Sequence, residues 1–274
     1  MDDVAGRTVL ITGAAMGMGR LFAERAVAER ARAVVLIDVN GEALAETAEQ
    51  LSGGVTEVIA EALDVRRLPA IRAAARRVHK AVGAVDVLIN NAGVVRGNHY
   101  FWETDPVADA KFTIDINTLA PMYVARVFLP AMIESGRDCR LVNIASAAGL
   151  TANPRMAVYA ASKWAVVGWS DSLRLELEQA GHEQVKVTTV CPYYVKTGMF
   201  EGARSAPLLP LLEPDDVVEE TWAAMLHGQP LLVMPKTVLL SETVKGVLPI
   251  GIRDFVADKV LGIYHTMEDF TGRS

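Results

Sequence analysis

Tyr159 and Lys163 are the residues whose types and spacing point most directly to chemistry. They stand four residues apart in the run Tyr-Ala-Ala-Ser-Lys, and Ser146 lies thirteen residues before the tyrosine. Residues four apart share one face of a helix, so the Lys163 ammonium can lie beside the phenol oxygen. A free tyrosine has a pKa near ~10 and is a poor base at neutral pH. The alternative is a surface tyrosine beside a solvated lysine.

Electrostatics decides whether this pair could work as an acid and base. Lowering a tyrosine pKa to about 7 takes roughly 4 kcal/mol of differential stabilisation. One cation at about 5 Å supplies roughly 3 kcal/mol at an effective dielectric near 20. Lys163 therefore needs a second positive charge near Tyr159, and an oxidised nicotinamide ring would provide one.

A glycine-rich turn near the N-terminus indicates where such a ring could come from. The first apolar run ends in Thr12-Gly13-Ala14-Ala15-Met16-Gly17-Met18-Gly19. Glycines let a backbone approach a pyrophosphate, and the N–H groups of the following helix point at it. The motif follows a strand and opens a helix, which is the context it requires. It predicts dinucleotide binding, with an ordinary strand–helix turn as the alternative.

Asp38 closes the second predicted strand and bears on the choice of cofactor. A carboxylate there accepts hydrogen bonds from the adenosine ribose and repels a 2′-phosphate. Residues 13–19 contain no arginine or lysine, and Val39-Asn40 follow without a positive charge. The sequence therefore predicts NAD rather than NADP. The alternative for Asp38 is a helix N-cap.

Strand-like and helix-like stretches alternate along the chain. Predicted strands cover residues 8–12, 33–38, 55–60, 85–90, 140–145, 185–190 and 231–234. Predicted helices cover residues 21–30, 42–51, 67–81, 107–134, 158–180 and 215–226, with interruptions of the long one at Pro121 and Pro130. Regular βαβ alternation with apolar strands predicts a parallel sheet covered by helices on both faces.

Composition narrows the class of protein. The chain has 274 residues, 51% of them hydrophobic, and a net charge of -6, which fits one domain and argues against a nucleic-acid partner. Cys139 and Cys191 lack metal-ligand spacing and are expected to be buried thiols in a reducing compartment. We expect no signal peptide, no spanning helix and no metal site, and a cytoplasmic location.

Together these motifs resemble the short-chain dehydrogenase/reductase family. The resemblance spans residues 8–197 and rests on the glycine turn, Asp64-Val65, Asn90-Asn91-Ala92-Gly93, Asn117, Ser146, Tyr159 and Lys163. It implies a Rossmann-type, doubly wound α/β fold with a seven-stranded, mostly parallel sheet. Residues 1–274 would form one NAD-binding domain, with a substrate lid and tail from about residue 198.

The resemblance also implies roles for single residues. Ser146 would bind the substrate oxygen, Tyr159 would exchange its proton, Lys163 would hold the nicotinamide ribose, and Asn117 would bend the long helix and serve a proton relay. Residues implied to bind the cofactor are Gly13, Met16, Gly17, Met18, Gly19, Asp38, Asp64, Val65, Asn91, Ala92, Gly93, Tyr159, Lys163, Pro192, Val195 and Thr197. Thr197 would bond the carboxamide.

One departure from the family pattern lies after the sixth strand. The run is Cys191-Pro192-Tyr193-Tyr194-Val195-Lys196-Thr197, in which Tyr193 replaces a glycine common in the family. The run is similar to the hydroxysteroid and retinol dehydrogenase branch, as are residues 212–218, 232–235 and 247–249. Lid residues that would line an apolar pocket, or simply pack, are Met199, Phe200, Leu208, Leu209, Leu211 and Leu212.

The tail and two helices suggest partners. Residues 230–262 are mostly aliphatic, with charges spaced at Lys236, Glu242, Lys245, Arg253 and Asp254. Such a segment could cover the pocket mouth, lie on a membrane surface or pack between subunits. The helices over 107–134 and 158–180 carry surplus apolar residues, and the resemblance implies that they form a homodimer or homotetramer.

The predicted function is reversible hydride transfer between NAD and an alcohol or carbonyl carbon. The presumed pocket residues offer little charge, so the substrate is expected to be apolar or lipid-like, of the steroid or retinoid type. Two alternatives stay open: a reductase of a small keto compound, and a cofactor-bound scaffold without turnover.

Overall fold

The computed structural model describes residues 1–206, 209–239, 247–260 and 262–272. Leu208, Glu242 and Lys245, named above for the lid and the tail, lie outside these ranges.

A seven-stranded sheet forms the centre of the molecule. Its strands are β1 Thr8–Thr12, β2 Ala33–Asp38, β3 Glu57–Ala62, β4 Val87–Asn90, β5 Cys139–Ile144, β6 Val185–Pro192 and β7 Leu231–Met234. They lie in the order β3-β2-β1-β4-β5-β6-β7, and all six pairings are parallel. The predicted doubly wound α/β fold is confirmed, and the sheet is wholly parallel rather than mostly so.

Helices cover both faces of this sheet. They are α1 Gly17–Ala28, α2 Gly41–Leu51, α3 Leu68–Val82, α4 Pro106–Glu134, α5 Ala157–Gln179, α6 Pro214–His227 and the short α7 Ile250–Phe255. One apolar cluster packs α1, α2 and α6 on one face, and a second packs α3, α4 and α5 on the other. A third cluster lies at the carboxyl edge, around Tyr159 and Tyr193. Parallel sheets need such double cover because both faces are apolar.

Two element boundaries differ from the sequence prediction in ways that matter for function. Helix α1 begins at Gly17, four residues before the predicted start, so its first turn belongs to the glycine motif. Strand β6 continues two residues past its predicted end, to Pro192, and carries the chain directly to Tyr193. Both differences extend a regular element to the edge where the site lies.

Helix α4 is irregular, but not at the two prolines. Its irregularities are π-helical turns at Pro106–Lys111 and Asp115–Leu119, while Pro121 lies in the first turn of the regular segment Ala120–Glu134, which also contains Pro130. Such π turns often mark functional positions in helices. Among the described residues, α4 alone has the length and hydropathy to cross a bilayer. It packs against α3 and α5, so the domain core accounts for its apolar face.

Candidate active site

Adjacent strands β1 and β4 bring the glycine turn against the end of β4. The chain leaves β1 toward β2 on one side and reaches β4 on the other, and doubly wound sheets bind ligands where the order reverses in this way. A Cβ on Gly13, whose φ is +66°, would lie 2.9 Å from the Ala92 Cα. A Cβ on Gly19 would lie 1.9 Å from the Gly13 carbonyl oxygen. Glycine is therefore required at both positions by backbone packing.

The Asn91 side chain fixes the shape of this turn. Its Nδ2 donates to the carbonyl oxygens of Thr12, at 3.0 Å, and Gly13, at 3.1 Å. The Thr12 hydroxyl in turn accepts from the backbone N–H groups of Asn91 and Ala92, both at 3.1 Å. Asn91 thus holds the turn in position rather than only passing beneath a ligand.

A cavity of about 380 Å³ opens beside this turn, at the start of α1. Its lining includes eleven of the predicted cofactor residues: Gly13, Met16, Gly17, Met18, Asp38, Asp64, Val65, Asn91, Ala92, Gly93 and Thr197. Gly19 lies behind the turn and shapes it. Helix α1 begins there without a side-chain cap and without an acidic residue in its first turn, and such an end attracts anions. The cradle, the helix end and the cavity together fit a dinucleotide.

Asp38 lies at the end of β2 and faces the same cavity. One carboxylate oxygen accepts from the Ala15 N–H at 3.0 Å, and the other accepts from the Asn40 N–H at 3.0 Å. The N-cap of α2 is Asn40, whose side chain accepts from the Ala43 N–H at 3.2 Å. The alternative that Asp38 caps the helix is therefore wrong, and the turn holds its carboxylate against the cavity.

Arg66 is a cavity residue that the sequence reasoning missed. Its guanidinium pairs with Asp64 at 2.5 Å and lies 4.7 Å from the centre of the Phe112 ring. The hydrogen bond from Arg66 holds the pKa of Asp64 below its ordinary value. The signal was an arginine directly after the Asp64-Val65 motif. Its partner Asp64 offsets its charge beside the cavity.

Three of the four predicted catalytic side chains line one buried space between β5, α5 and the end of β6, and Asn117 lies outside it. Ser146, Tyr159 and Lys163 share it with Pro192 and Val195. Met18, Asn91, Gly93 and Thr197 border both this space and the cofactor cavity, so the two are continuous. Tyr193, the departure from the family pattern, also lines it, as do three residues that the sequence reasoning missed: Val94, Ile144 and Ala145.

Ser146 is held by backbone groups on two sides. Its hydroxyl donates to the Pro192 carbonyl at 3.4 Å and accepts from the Ala148 N–H at 3.2 Å. The serine caps the short turn Ala147–Gly149 that leads from β5 toward α5. Pro192 therefore acts on the site through its carbonyl oxygen.

Tyr159 is only 4% exposed, and this burial dominates its acidity. Burial raises the pKa of Tyr159 above its ordinary value, while the Ser146 hydroxyl acts in the opposite direction. The chain's own side chains thus do not produce the lowered pKa expected from the Tyr–Lys spacing. The sequence spacing indicated that Lys163 lies beside the phenol, but it could not show that the space around the phenol is buried from solvent.

Lys163 lies next to Tyr159, with its Nζ 5.7 Å from the centre of the phenol ring. The ammonium donates to the Ile144 carbonyl oxygen at 2.9 Å. Burial lowers the pKa of Lys163 to about 8, so the side chain is still mostly charged at neutral pH. The cation that the Tyr–Lys spacing predicted beside Tyr159 is therefore present.

Asn117 lies in the second π turn of α4, behind the catalytic side chains. Its amide donates to the Val94 carbonyl at 2.9 Å and accepts from the Val94 N–H at 2.8 Å. It also donates to the Ser162 hydroxyl at 3.1 Å, and that hydroxyl donates to the Tyr159 carbonyl at 2.6 Å. Asn117 therefore joins the chain after β4 to the helix that carries Tyr159.

An apolar cavity continues from the catalytic space, with Ser146 and Tyr193 bordering both. Its further walls come from Met156, Leu209, Val238 and Ile263. Of the expected lid residues, Met199 and Phe200 border the catalytic space, Leu209 lines the apolar cavity, and Leu211 and Leu212 pack nearby. The tail also contributes, through Ile263.

Known proteins are similar to this chain over most of its length. A family model described as short chain dehydrogenase matches residues 7–207. Epidermal retinol dehydrogenase 2 of Mus musculus is 40% identical over 99% of this chain and 87% of that protein. Retinol dehydrogenase 10-A of Danio rerio is 36% identical over 90% of this chain and 80% of its own length.

Solved structures share the fold. A short chain dehydrogenase/reductase from Burkholderia phymatum, solved in complex with NAD, superposes with a TM-score of 0.80 at 29% identity. The superposition covers 90% of this chain and 95% of that one.

Proposed function

The chain belongs to the short-chain dehydrogenase family, and on that premise we propose that it is an NAD-dependent oxidoreductase interconverting an apolar, retinoid-like alcohol and its carbonyl. The observation that carries this function is the continuity of three spaces. The cofactor cavity, the space around Ser146, Tyr159 and Lys163, and the apolar cavity adjoin through shared lining residues. The retinol dehydrogenases among its relatives support the substrate class.

The residues of this chain divide the work of binding NAD. Gly13, Gly19 and Asn91 would shape the turn for the pyrophosphate, and Asp38 would accept hydrogen bonds from a ribose without a 2′-phosphate. Lys163 and Thr197 would hold the nicotinamide part. When bound, the nicotinamide ring accepts or donates the hydride.

Proton transfer is the task of Tyr159. In the oxidative direction its phenolate takes the proton of the alcohol, and in the reductive direction its phenol returns a proton to the oxygen. Ser146, anchored by Pro192 and Ala148, holds that oxygen by a hydrogen bond. The Lys163 ammonium stabilises the phenolate, and the buried space keeps bulk water out.

A homologous series of secondary alcohols tests this function directly. The rates are followed by NADH absorbance. The value of kcat/KM should rise with the chain length of the alcohol, because each buried methylene contributes about 0.8 kcal/mol, or nearly fourfold. A flat or falling trend would contradict the apolar substrate and favour a small keto compound. NADH binding without turnover of any alcohol or carbonyl would instead indicate a scaffold.

Self-association through α4 and α5 is the second part of the proposal. Trp164 on α5 is 46% exposed, and Met122 and Val127 on α4 are half-buried in the single chain. We expect these helices to meet those of a second copy in a homodimer or homotetramer. A monomeric mass by light scattering at micromolar concentration would count against it.

The tail supports a further proposal, contact with a membrane surface from the cytoplasmic side. Val247, Ile250, Ile252, Phe255 and Val260 are each more than half exposed. An exposed apolar segment of this kind can bind at the boundary between headgroups and acyl chains. Co-sedimentation with lipid vesicles should be lost on Ile250→Ser plus Phe255→Ser; equal vesicle binding by parent and variant would argue against this role. Fractionation that finds the protein outside the cytoplasm and off membranes would overturn the proposed location.

A further inference from the structure

Tyr193 presents a buried hydroxyl at the junction of the catalytic space and the apolar cavity. The residue is 8% exposed and lines both. Its oxygen is close enough to the Tyr194 and Thr266 hydroxyls to interact electrostatically, yet no described residue hydrogen-bonds it with adequate geometry. Burying an unpaired hydroxyl costs stability, so its retention calls for a partner.

The neighbouring hydroxyl of Thr266 has no capacity left to serve Tyr193. It donates to the Ile263 carbonyl at 2.9 Å and accepts from Asn153 Nδ2 at 3.0 Å. It also shares a hydrogen bond of 3.2 Å with the Tyr194 hydroxyl. One donated and two accepted bonds are all that a hydroxyl can make.

Asn153 has a complementary gap. Its Nδ2 donates to both Thr266 and the Tyr194 hydroxyl, the latter at 2.9 Å, which uses both amide hydrogens. Its Oδ1 is buried and has no hydrogen-bond partner among the described residues. Asn153 lines the apolar cavity together with Tyr193. The cavity wall thus offers one free donor and one free acceptor.

We propose that Tyr193 and Asn153 form a second polar anchor, which binds a hydroxyl group of the substrate other than the reacting oxygen. A hydroxyl both donates and accepts, so it matches the Tyr193 O–H and the Asn153 oxygen. Burial also raises the pKa of Tyr193, which keeps the phenol protonated as a donor at neutral pH. The substrate is then an apolar molecule with two oxygen functions, and this inference rests on the proposed oxidoreductase function.

The competing explanation is that Tyr193 serves only packing. Its ring lies 4.3 Å from that of Tyr194, so a phenylalanine would keep the ring contact. Tyr193→Phe therefore removes the hydroxyl alone. Tyr194→Phe is the matched control, because it removes a neighbouring hydroxyl that is already bonded within the protein.

Kinetics with matched alcohols tests the anchor. The substrates are one long secondary alcohol and diols of the same chain, with the second hydroxyl moved stepwise along it. At least one diol should exceed the mono-alcohol in kcat/KM by about tenfold, or about 1.4 kcal/mol. Tyr193→Phe should remove this preference. No preferred diol, or a preference unchanged in Tyr193→Phe, would overturn the anchor.

Thermal stability tests whether the Tyr193 hydroxyl is bonded within the protein. Tyr193→Phe should not lower the Tm, because the lost hydroxyl has no partner, while Tyr194→Phe should lower it. Equal losses would show that Tyr193 is bonded within the protein and would sink the proposal.

Calorimetry of diol binding in the presence of NADH tests the anchor even in a protein that shows no turnover. Binding that depends on Tyr193 without turnover would refute the oxidoreductase function and leave the anchor standing. Turnover without diol preference would refute the anchor and leave the oxidoreductase function standing.

Discussion

The cofactor side and the substrate side of this site are built in different ways. On the cofactor side, Asn91 and Asp38 bond to the backbone of the glycine turn, and neighbouring strands fix the geometry. On the substrate side, side chains from segments far apart in the sequence bond to one another, and Tyr193 and Asn153 keep unpaired polar atoms. Main-chain geometry shapes the cofactor cradle, whereas side chains with unpaired polar atoms shape the substrate wall and can select a substrate by its hydroxyl group.

The largest expected effect on activity comes from Tyr159, which lies between the cofactor side and the substrate side. Tyr159→Phe should lower kcat roughly 10²–10⁴-fold, because the proton carrier is lost, while NADH binding stays nearly intact. Single-turnover kinetics and a fluorescence titration with NADH measure the two effects. Activity within tenfold of the parent would rule out the assigned role. Lys163→Ala should impair both turnover and cofactor binding.

Cofactor choice is the next largest effect and tests the cofactor side alone. The parent should prefer NAD over NADP by at least roughly a hundredfold, or about 2.7 kcal/mol. Asp38→Asn should bring the ratio of kcat/KM values below about tenfold, because the repelling charge is gone. Equal use of both cofactors by the parent would refute the assignment of Asp38.

A substitution at Gly19 tests whether close backbone packing shapes the cofactor turn. Gly19→Ala should raise the Kd of NADH by at least about tenfold, because the added Cβ would lie 1.9 Å from the Gly13 carbonyl oxygen. Gly168→Ala in α5 is the control, because its Cβ would meet nothing within 4 Å, and it should stabilise the fold by roughly 0.5–1 kcal/mol. An unchanged Kd for Gly19→Ala would mean that the turn relaxes easily.

The smallest effect concerns the tail on the substrate side. Hydrogen bonds to Glu268, at 2.7 Å, and Asp258, at 2.8 Å, raise the pKa of His265. Since the folded pKa exceeds the unfolded value of about 6.5, this stabilisation is complete below that value. It is lost as the pH rises through the folded pKa. Corrected amide exchange of residues 263–268 should therefore be slower at about pH 6 than at about pH 8. His265→Gln should abolish the difference, whereas a difference that persists in this variant would assign it to other titrating groups.

Sequence patterns predicted the cofactor side well because its geometry is local to strands and turns. The bounds of β1, β2 and β7 match, and the glycine turn, Asp38 and Asn91 all reach the predicted cavity edge. The start of α1 was missed because its first turn, Gly-Met-Gly-Arg, carries no apolar periodicity. Motif spacing was informative where the backbone alone sets position.

The substrate side was less predictable because its contacts join distant segments. Asn153 meets Thr266 across 113 residues, and no local pattern reports such a pair. The pKa of Tyr159 depends on burial, which is a property of the assembled fold. Replacement of the usual glycine by Tyr193 was visible in the sequence, but its unpaired hydroxyl was not.

The contribution of residues 263–272 to the cavity wall sets an order for events during synthesis. The Arg204 N–H donates to the Thr266 carbonyl at 2.9 Å, and the Thr271 N–H donates to the Glu201 carbonyl at 3.0 Å. A chain emerging from the ribosome folds from its N-terminal part first. Every residue of the cofactor cavity has been synthesised by Met199, long before Ile263 can close the apolar one. The residues that line the cofactor cavity therefore emerge before those that close the apolar one.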